Sequence, residues 1–176
     1  ILPRALDLDP RDSPAWFSLA GVQERLGRRE LALQSLDHGL ALDPGRAEAW
    51  YRKGLILMDL GRFGKARQAL EGALRLEPGR AEAWFRHGLT LLSLRMPGEA
   101  AASLEKALGI NPAHAEGWFE LARAREEAGD SPGAVEALRR STLEQPESPG
   151  AWLRLGELQL GLGRAGDALA SGDQAV

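Results

Sequence analysis

Acidic and basic side chains recur in this sequence at intervals of 34 residues. The glutamates are Glu48, Glu82 and Glu116, and an arginine follows each of the first two by four residues, as Arg52 and Arg86. Regularly placed carboxylates are candidates for general acid or base chemistry. A glutamate four residues before an arginine is also the favourable ion pair on one face of a helix, worth about 0.2 to 0.5 kcal/mol. We favour the helix pair, and we predict no catalytic residues and no enzymatic activity.

The three histidines are the other residues whose chemistry suggests a metal site. His38, His87 and His114 fall at different places within the 34-residue period, and no His-Glu-x-x-His or similar ligand spacing is present. The chain has no cysteine, which excludes a thiolate metal site and a cysteine nucleophile. The sequence therefore predicts no metal site and no cofactor.

Composition narrows the classes of partner. A net charge of −3 with interspersed signs lacks the basic stripe that nucleic acid binding requires. No run of about 18 apolar residues occurs, and the first residues lack the blocks of a signal peptide. We expect no nucleic acid partner, no membrane insertion and a cytoplasmic location. Arginine outnumbers lysine by 19 to 3, which is typical of a GC-rich bacterial genome.

The 34-residue period extends to the tryptophans, prolines and alanines, which recur at Trp16, Trp50, Trp84, Trp118 and Trp152, at Pro10, Pro44, Pro78, Pro112 and Pro146, and at Ala32, Ala66, Ala100, Ala134 and Ala168. Self-similarity of this length predicts stacked repeats. When position 1 is the third residue before each tryptophan, the repeats span 13–46, 47–80, 81–114 and 115–148, with a partial repeat at 149–176. Residues 1–12 match the end of a preceding repeat, through Leu2, Ala5, Leu6 and Leu8. We therefore expect the chain to be a fragment of a longer repeat array.

Each repeat predicts two helices. Positions 1 to 14, residues 47–60 for example, contain strong helix formers and are followed by Gly61, which suits the left-handed residue that closes a helix. A second apolar run has the spacing of three and four residues that marks one helical face, and it ends before Pro78. Because the joint is short, the two helices must pack as an antiparallel hairpin. The sequence therefore predicts an all-α fold.

These repeats resemble a known family. The second repeat contains the pattern Trp50, Lys53, Gly54, Leu57, Ala66, Leu70, Ala73 and Pro78, which resembles the tetratricopeptide repeat. The resemblance covers residues 1–176 and implies a single solenoid, a right-handed α-α superhelix of antiparallel helix hairpins whose first helices line a concave face. We expect the small residue at position 8 to let the paired helices approach closely. We also expect the tryptophans to face the hairpin interior beside it.

Function is expected on the concave face that the resemblance implies. Positions 5, 9 and 12 share one face of the first helix and contain Phe17, Tyr51, Phe85, Phe119, Leu55, Leu89, Met58 and Leu92. A helix that is apolar on nearly every side is either fully buried or exposes a binding patch. These side chains therefore either form a peptide-binding groove or cover one another. We predict a non-catalytic scaffold for protein–protein interaction, which binds a partner peptide or helix in this groove with Arg52 and Arg86 at its border.

Two alternatives from other classes stay open. The array is compatible with the substrate-recognition arm of a larger enzyme, such as a glycosyltransferase or a sulfotransferase. It is also compatible with a self-assembly module, because the open ends of a solenoid expose apolar surface to other copies.

Overall fold

The structure is a computed structural model that describes residues 9–175. The predicted residues Leu2, Ala5, Leu6 and Leu8 lie outside this range. Within it, the chain forms ten α-helices and no β-strand. In chain order the helices are α1 (Ser13–Arg25), α2 (Arg29–Leu42), α3 (Ala47–Asp59), α4 (Phe63–Leu76), α5 (Ala81–Ser93), α6 (Pro97–Ile110), α7 (Ala115–Glu127), α8 (Ser131–Glu144), α9 (Pro149–Gly161) and α10 (Ala165–Gln174).

The chain divides into two compact units. Unit 1 is Ile1–Gly79 and contains the α1–α2 and α3–α4 hairpins; unit 2 is Arg80–Val176 and contains the α5–α6, α7–α8 and α9–α10 hairpins. The two helices of each hairpin make the most extensive contacts, and the second helix of one hairpin then packs on the first helix of the next within each unit. The predicted all-α fold of helix hairpins is confirmed.

A residue in the left-handed conformation closes the first helix of each hairpin. Glycine takes this place in four hairpins, with φ of 68° at Gly61, and the next amide, that of Arg62, donates to the carbonyl of Leu57 at 2.8 Å. In the α5–α6 hairpin the same place is held by Arg95, with φ of 60°. A residue with a side chain is less stable than glycine in this left-handed conformation. The turn between α5 and α6 is therefore strained where its neighbours are not.

Small residues at position 8 bring the paired helices together, as expected. A Cβ built on Gly88 would lie 2.7 Å from Cγ of Leu104 and 3.3 Å from the carbonyl oxygen of Ala100. Gly54 has the same relation to Leu70, also at 2.7 Å. The leucine four residues after the periodic alanine thus fills the space that the glycine leaves, and both leucines are fully buried.

The tryptophans lie further out than expected, because all five are half-buried and none belongs to the fully buried core. The indole of Trp50 covers the backbone of α4, where a Cβ on Gly72 would be only 2.9 Å from the ring. Its Nε1 donates to the carbonyl oxygen of Pro44 at 2.9 Å. A buried indole requires a partner for its N–H, and the loop before the helix supplies one near the surface. The same bond joins Trp16 to Pro10, Trp118 to Pro112 and Trp152 to Pro146.

Candidate functional site

A cavity of about 570 Å³ lies in unit 1 between the first helices of two successive repeats, α1 and α3. The side chains that give it its character are Phe17, Arg25, Arg46 and Arg52, with Gly21 between them. We call this cavity and these residues the inner groove. Two residues predicted from the sequence, Phe17 and Arg52, line it.

The groove is open because position 9 of this repeat is glycine. The corresponding residues of the next two repeats are Leu55 and Leu89. A Cβ built on Gly21 would lie 3.1 Å from Nη2 of Arg52, so the missing side chain leaves space that the Arg52 guanidinium borders. Any larger residue at position 21 would project into the groove.

Phe17 is a firmly held aromatic side chain on the groove wall. One side of its ring lies against α2, where a Cβ on Gly39 would be 2.5 Å from Cε1 of the ring. Cζ of Arg46 lies 5.7 Å from the ring centroid, within the range of a cation–π interaction. Nε of Arg46 also donates to Oδ2 of Asp43 at 3.2 Å. Phe17 remains half-buried, so part of its ring stays available to a ligand.

Arg52 ties the two first helices together. Its Nη2 and Nε donate to the two carboxylate oxygens of Glu24, at 2.8 and 3.3 Å. The side chains of Arg52 and Glu24 are 24% and 27% exposed, so this pair is partly shielded from water. Unit 2 repeats the arrangement at the same positions, where Arg154 donates to Glu126. The hydrogen bonds that Arg154 donates to Glu126 and Glu157 raise its pKa. Arginine at position 6 therefore links neighbouring repeats as well as bordering the groove.

Three arginines line the groove, but Arg46 and Arg52 are already paired with carboxylates outside the lining. Arg25 is exposed and makes no ion pair with any residue between 9 and 175. Arg25 therefore supplies the open positive charge of the groove, on a chain whose net charge is −3. The arrangement suits a ligand with an anionic group and an apolar one.

Sequence reasoning missed Arg25 and Arg46. The sequence spacing could have indicated Arg25 as a groove residue. Phe17, Gly21 and Arg25 are each four residues apart and so lie on one face of the helix. Arg46 gives a weaker signal, as the residue that precedes α3 in a segment that recurs before α5. Its proximity to Phe17 depends on the turn geometry between α2 and α3.

The other predicted residues of unit 1 lie on α3 outside the lining of the inner groove. Tyr51 is buried, with 7% of its surface exposed, whereas Leu55 and Met58 are half-buried. Tyr51 therefore offers little surface to a ligand, and the two aliphatic side chains offer more.

In unit 2 the predicted residues are mostly packed against one another. Phe85 and Leu92 belong to the buried core, with 2% and 5% exposed, and the half-buried Leu89 and Phe119 pack against that core. The imidazole of His114 lies 4.6 Å from the Phe85 ring, centroid to centroid. The side chains of this face thus largely cover one another.

In unit 2, repeat position 6 holds the charged side chains of Arg86 and Glu120, each next in sequence to one of the predicted aromatic residues. Of the two predicted helix pairs, that of Glu82 and Arg86 is present, with Nε of Arg86 2.7 Å from Oε1 of Glu82, whereas Arg52 bonds to Glu24 of the preceding repeat. At position 6 of the next repeat Glu120 replaces the usual arginine, and its side chain is only 13% exposed. Burial raises the pKa of Glu120, an effect that Arg123 at 2.9 Å opposes.

The histidines have separate structural contacts. His38 stacks on Trp16 with ring centroids 4.6 Å apart, and Nδ1 of His87 lies 3.0 Å from Oγ of Ser103. His114 caps α7, where its Nδ1 accepts from the amide of Gly117 at 2.7 Å. Among residues 9–175, no group of three acidic or histidine side chains is placed to hold a metal ion. No helix in the described range combines the length and apolarity needed to cross a bilayer.

A sequence model of the tetratricopeptide repeat matches this chain four times in overlapping registers, at residues 24–81, 51–115, 85–142 and 119–176. The comparison with curated proteins found no match.

Solved structures share the fold. The crystal structure of MamA protein is 21% identical, with a TM-score of 0.88, over 93% of this chain and 89% of that one. The crystal structure of YrrB, described as a TPR protein with an unusual peptide-binding site, is 22% identical, with a TM-score of 0.87, over 99% of this chain and 90% of that one. The structure of MamA residues 41 to the end from Desulfovibrio magneticus RS-1 is 22% identical, with a TM-score of 0.84, over 93% and 92%. At this level of identity, the likeness concerns the fold.

Proposed function

Because this chain belongs to the tetratricopeptide repeat family, we propose that it is a non-catalytic interaction scaffold that binds a partner peptide in the inner groove of unit 1. The observation that carries the proposal is the open cavity itself, with Phe17 on its wall and Arg25, Arg46 and Arg52 at its border. Aromatic and arginine side chains contribute most of the binding energy at protein interfaces. The peptide-binding site in the description of YrrB supports the same class of function.

The dimensions of the groove favour a peptide. A cavity of about 570 Å³ falls within the range of pockets that enclose a small ligand, roughly 300 to 1,000 Å³. It holds one or two side chains of an extended segment, and it is too small for a folded domain. In our proposal, an apolar side chain of the partner lies on the exposed part of Phe17 and a carboxylate pairs with Arg25.

In this proposal, the roles of the other residues predicted from the sequence depend on how exposed their side chains are. In unit 1, the half-buried Leu55 and Met58 extend the contact surface along α3. In unit 2, the half-buried Arg86, Leu89 and Phe119 offer a further set of contacts. The buried residues Tyr51, Phe85 and Leu92 support these surfaces from beneath and contribute to binding indirectly.

A selection experiment tests this function. Peptides from a random phage-displayed library are selected on the immobilised chain, and the enriched peptide is labelled for fluorescence anisotropy. We expect Phe17→Ala and Arg25→Ala each to weaken its binding by about tenfold, equivalent to about 1.4 kcal/mol. Arg28→Ala is the matched control, because Arg28 is also exposed in unit 1 but does not line the groove.

The proposal fails if an enriched peptide binds Phe17→Ala and Arg25→Ala as tightly as it binds the unmodified chain. A recognition arm of a larger enzyme would use the same groove, so the selected sequence would also identify the chemistry of such a substrate.

A further inference from the structure

Unit 1 has a second cavity, of about 530 Å³, between α2, α3 and α4. Trp50 and Leu57 contribute its apolar wall, and Lys53, Arg62, Lys65 and Arg75 its cations. We call this cavity and these residues the outer groove. It shares no lining residue with the inner groove, because the two grooves use different faces of α3.

The positive charge of the outer groove comes from its side chains and not from the repeat geometry. A cavity at the equivalent place in unit 2, of about 380 Å³, is built around Trp152 between α8, α9 and α10. There the residue corresponding to Lys65 is Asp167, which pairs with Arg139 at 3.6 Å. The cavities around Trp50 and Trp152 therefore differ in charge, although they occupy the same place in the repeat.

Two of the four cations are already neutralised. Nζ of Lys53 lies 2.6 Å from Asp37, and Nη2 of Arg62 lies 2.6 Å from Glu30, which accounts for both carboxylates in the lining. Lys65 and Arg75 are exposed, and within the described range neither forms an ion pair. Two open positive charges beside a half-buried indole therefore remain, on a chain whose net charge is −3.

We propose that the outer groove of unit 1 is a second docking site, which takes an acidic peptide segment of a partner protein. Carboxylates of the segment pair with Lys65 and Arg75, and an apolar side chain lies against the half-buried Trp50. Charge complementarity at exposed sites sets the orientation and choice of partner more than the affinity. This site goes beyond the function proposed above, since an inner-groove peptide and an acidic segment can occupy the chain together.

The chemistry of the groove favours an acidic peptide over nucleic acid. Nucleic acid binding draws its affinity from many phosphate contacts along a basic stripe. Here only two cations are open, and the carboxylates of Glu30 and Asp37 lie in the same lining. A bounded cavity with an indole wall also suits an apolar side chain, which a phosphate backbone lacks.

The test uses a fluorescein-labelled Glu-Glu-Leu-Glu-Glu peptide as the probe and measures its anisotropy at an ionic strength of about 0.15 M, where charges more than about 8 Å apart are largely screened. We expect Lys65→Glu with Arg75→Glu to weaken binding at least about tenfold. The control is Arg11→Glu with Arg28→Glu, which changes the net charge equally at exposed residues outside both grooves. We expect it to change the affinity by less than about twofold.

Two further measurements keep the result decisive. Lys65→Gln with Arg75→Gln removes the charges without reversing them, so it should give a smaller loss and tests the site if the reversal variant unfolds. Heparin serves as a competing polyanion. The proposal is overturned if the control variant loses as much affinity as the site variant, if heparin displaces the peptide at equal charge concentration, or if Gly21→Leu in the inner groove abolishes binding of this probe while the outer-groove variants do not.

Discussion

The indole Nε1 of Trp50 donates a hydrogen bond to the carbonyl oxygen of Pro44, six residues earlier, at 2.9 Å. This bond fastens the loop between α2 and α3 to the first turn of α3. The tryptophan ring then covers Gly72 of α4. One residue therefore joins a loop, the first helix and the second helix of a repeat.

Trp50→Phe should destabilise the protein by about 1 to 3 kcal/mol, because it leaves the Pro44 carbonyl without its donor and reduces the buried ring area. Urea denaturation followed by circular dichroism measures this loss. Trp50→Ala should cost more, since it removes the ring as well. If Trp50→Phe unfolds at the same urea concentration as the unmodified chain, the bond does not contribute to stability.

Arg95→Gly should stabilise the protein by roughly 1 kcal/mol, because glycine adopts the left-handed conformation without the strain of a side chain. Gly61→Arg is the reciprocal change at the same place in another hairpin and should destabilise by a similar amount. The two urea midpoints should shift in opposite directions. A shift in the same direction for both variants would contradict the assignment of strain to Arg95.

Gly88→Leu should destabilise the protein by about 1 to 3 kcal/mol, because its side chain would collide with Leu104 and the α6 backbone. Gly109→Leu is the matched control, since a Cβ at Gly109 meets no atom within 4 Å. That control should be neutral or more stable, by up to about 1 kcal/mol, through better helix propensity. Equal losses in thermal unfolding for both variants would show that close packing at Gly88 is not the cause.

Glu120→Gln should remove a pH-dependent cost to stability. Burial raises the pKa of Glu120 in the folded protein, so between its unfolded and folded pKa values the folded state binds more protons. The free energy of unfolding of the native chain therefore falls as pH rises through this window, and the cost is fully present above the folded pKa. Relative to the native chain, Glu120→Gln should gain stability across that rise, as measured by urea titrations at a series of pH values. A constant difference between the two proteins at all pH values would contradict this account.

The hairpins and their close approach could be predicted from the sequence because they depend on spacing and volume. Gly54 and Gly88 recur at the same repeat position, which indicates the face of the first helix that packs on the second. Because glycine has no side chain, the sequence itself shows where the two helices can approach closely. The position of Trp50 could not be predicted in the same way, since an apolar ring at helical spacing indicates burial while its N–H partner lies in the preceding loop. Its half-buried location follows from that hydrogen bond.

The candidate site was predictable only in part. Phe17 and Phe85 occupy the same repeat position, yet Phe17 borders an open cavity and Phe85 is 2% exposed. The difference arises from neighbours, because Gly21 leaves space beside Phe17 whereas Leu89 occupies the equivalent place beside Phe85. The pairing of Arg52 with Glu24 likewise joins residues of different repeats, which spacing within one helix does not show.

Gly21→Leu tests the inner groove most directly. Leucine is already present at the equivalent positions 55 and 89, and it is a better helix former than glycine, so the variant should still fold. Isothermal titration with the selected peptide should show binding weakened by at least about tenfold, because the new side chain fills the cavity and displaces the Arg52 guanidinium. Unchanged affinity in a folded Gly21→Leu variant would contradict the claim that the partner peptide binds in this groove.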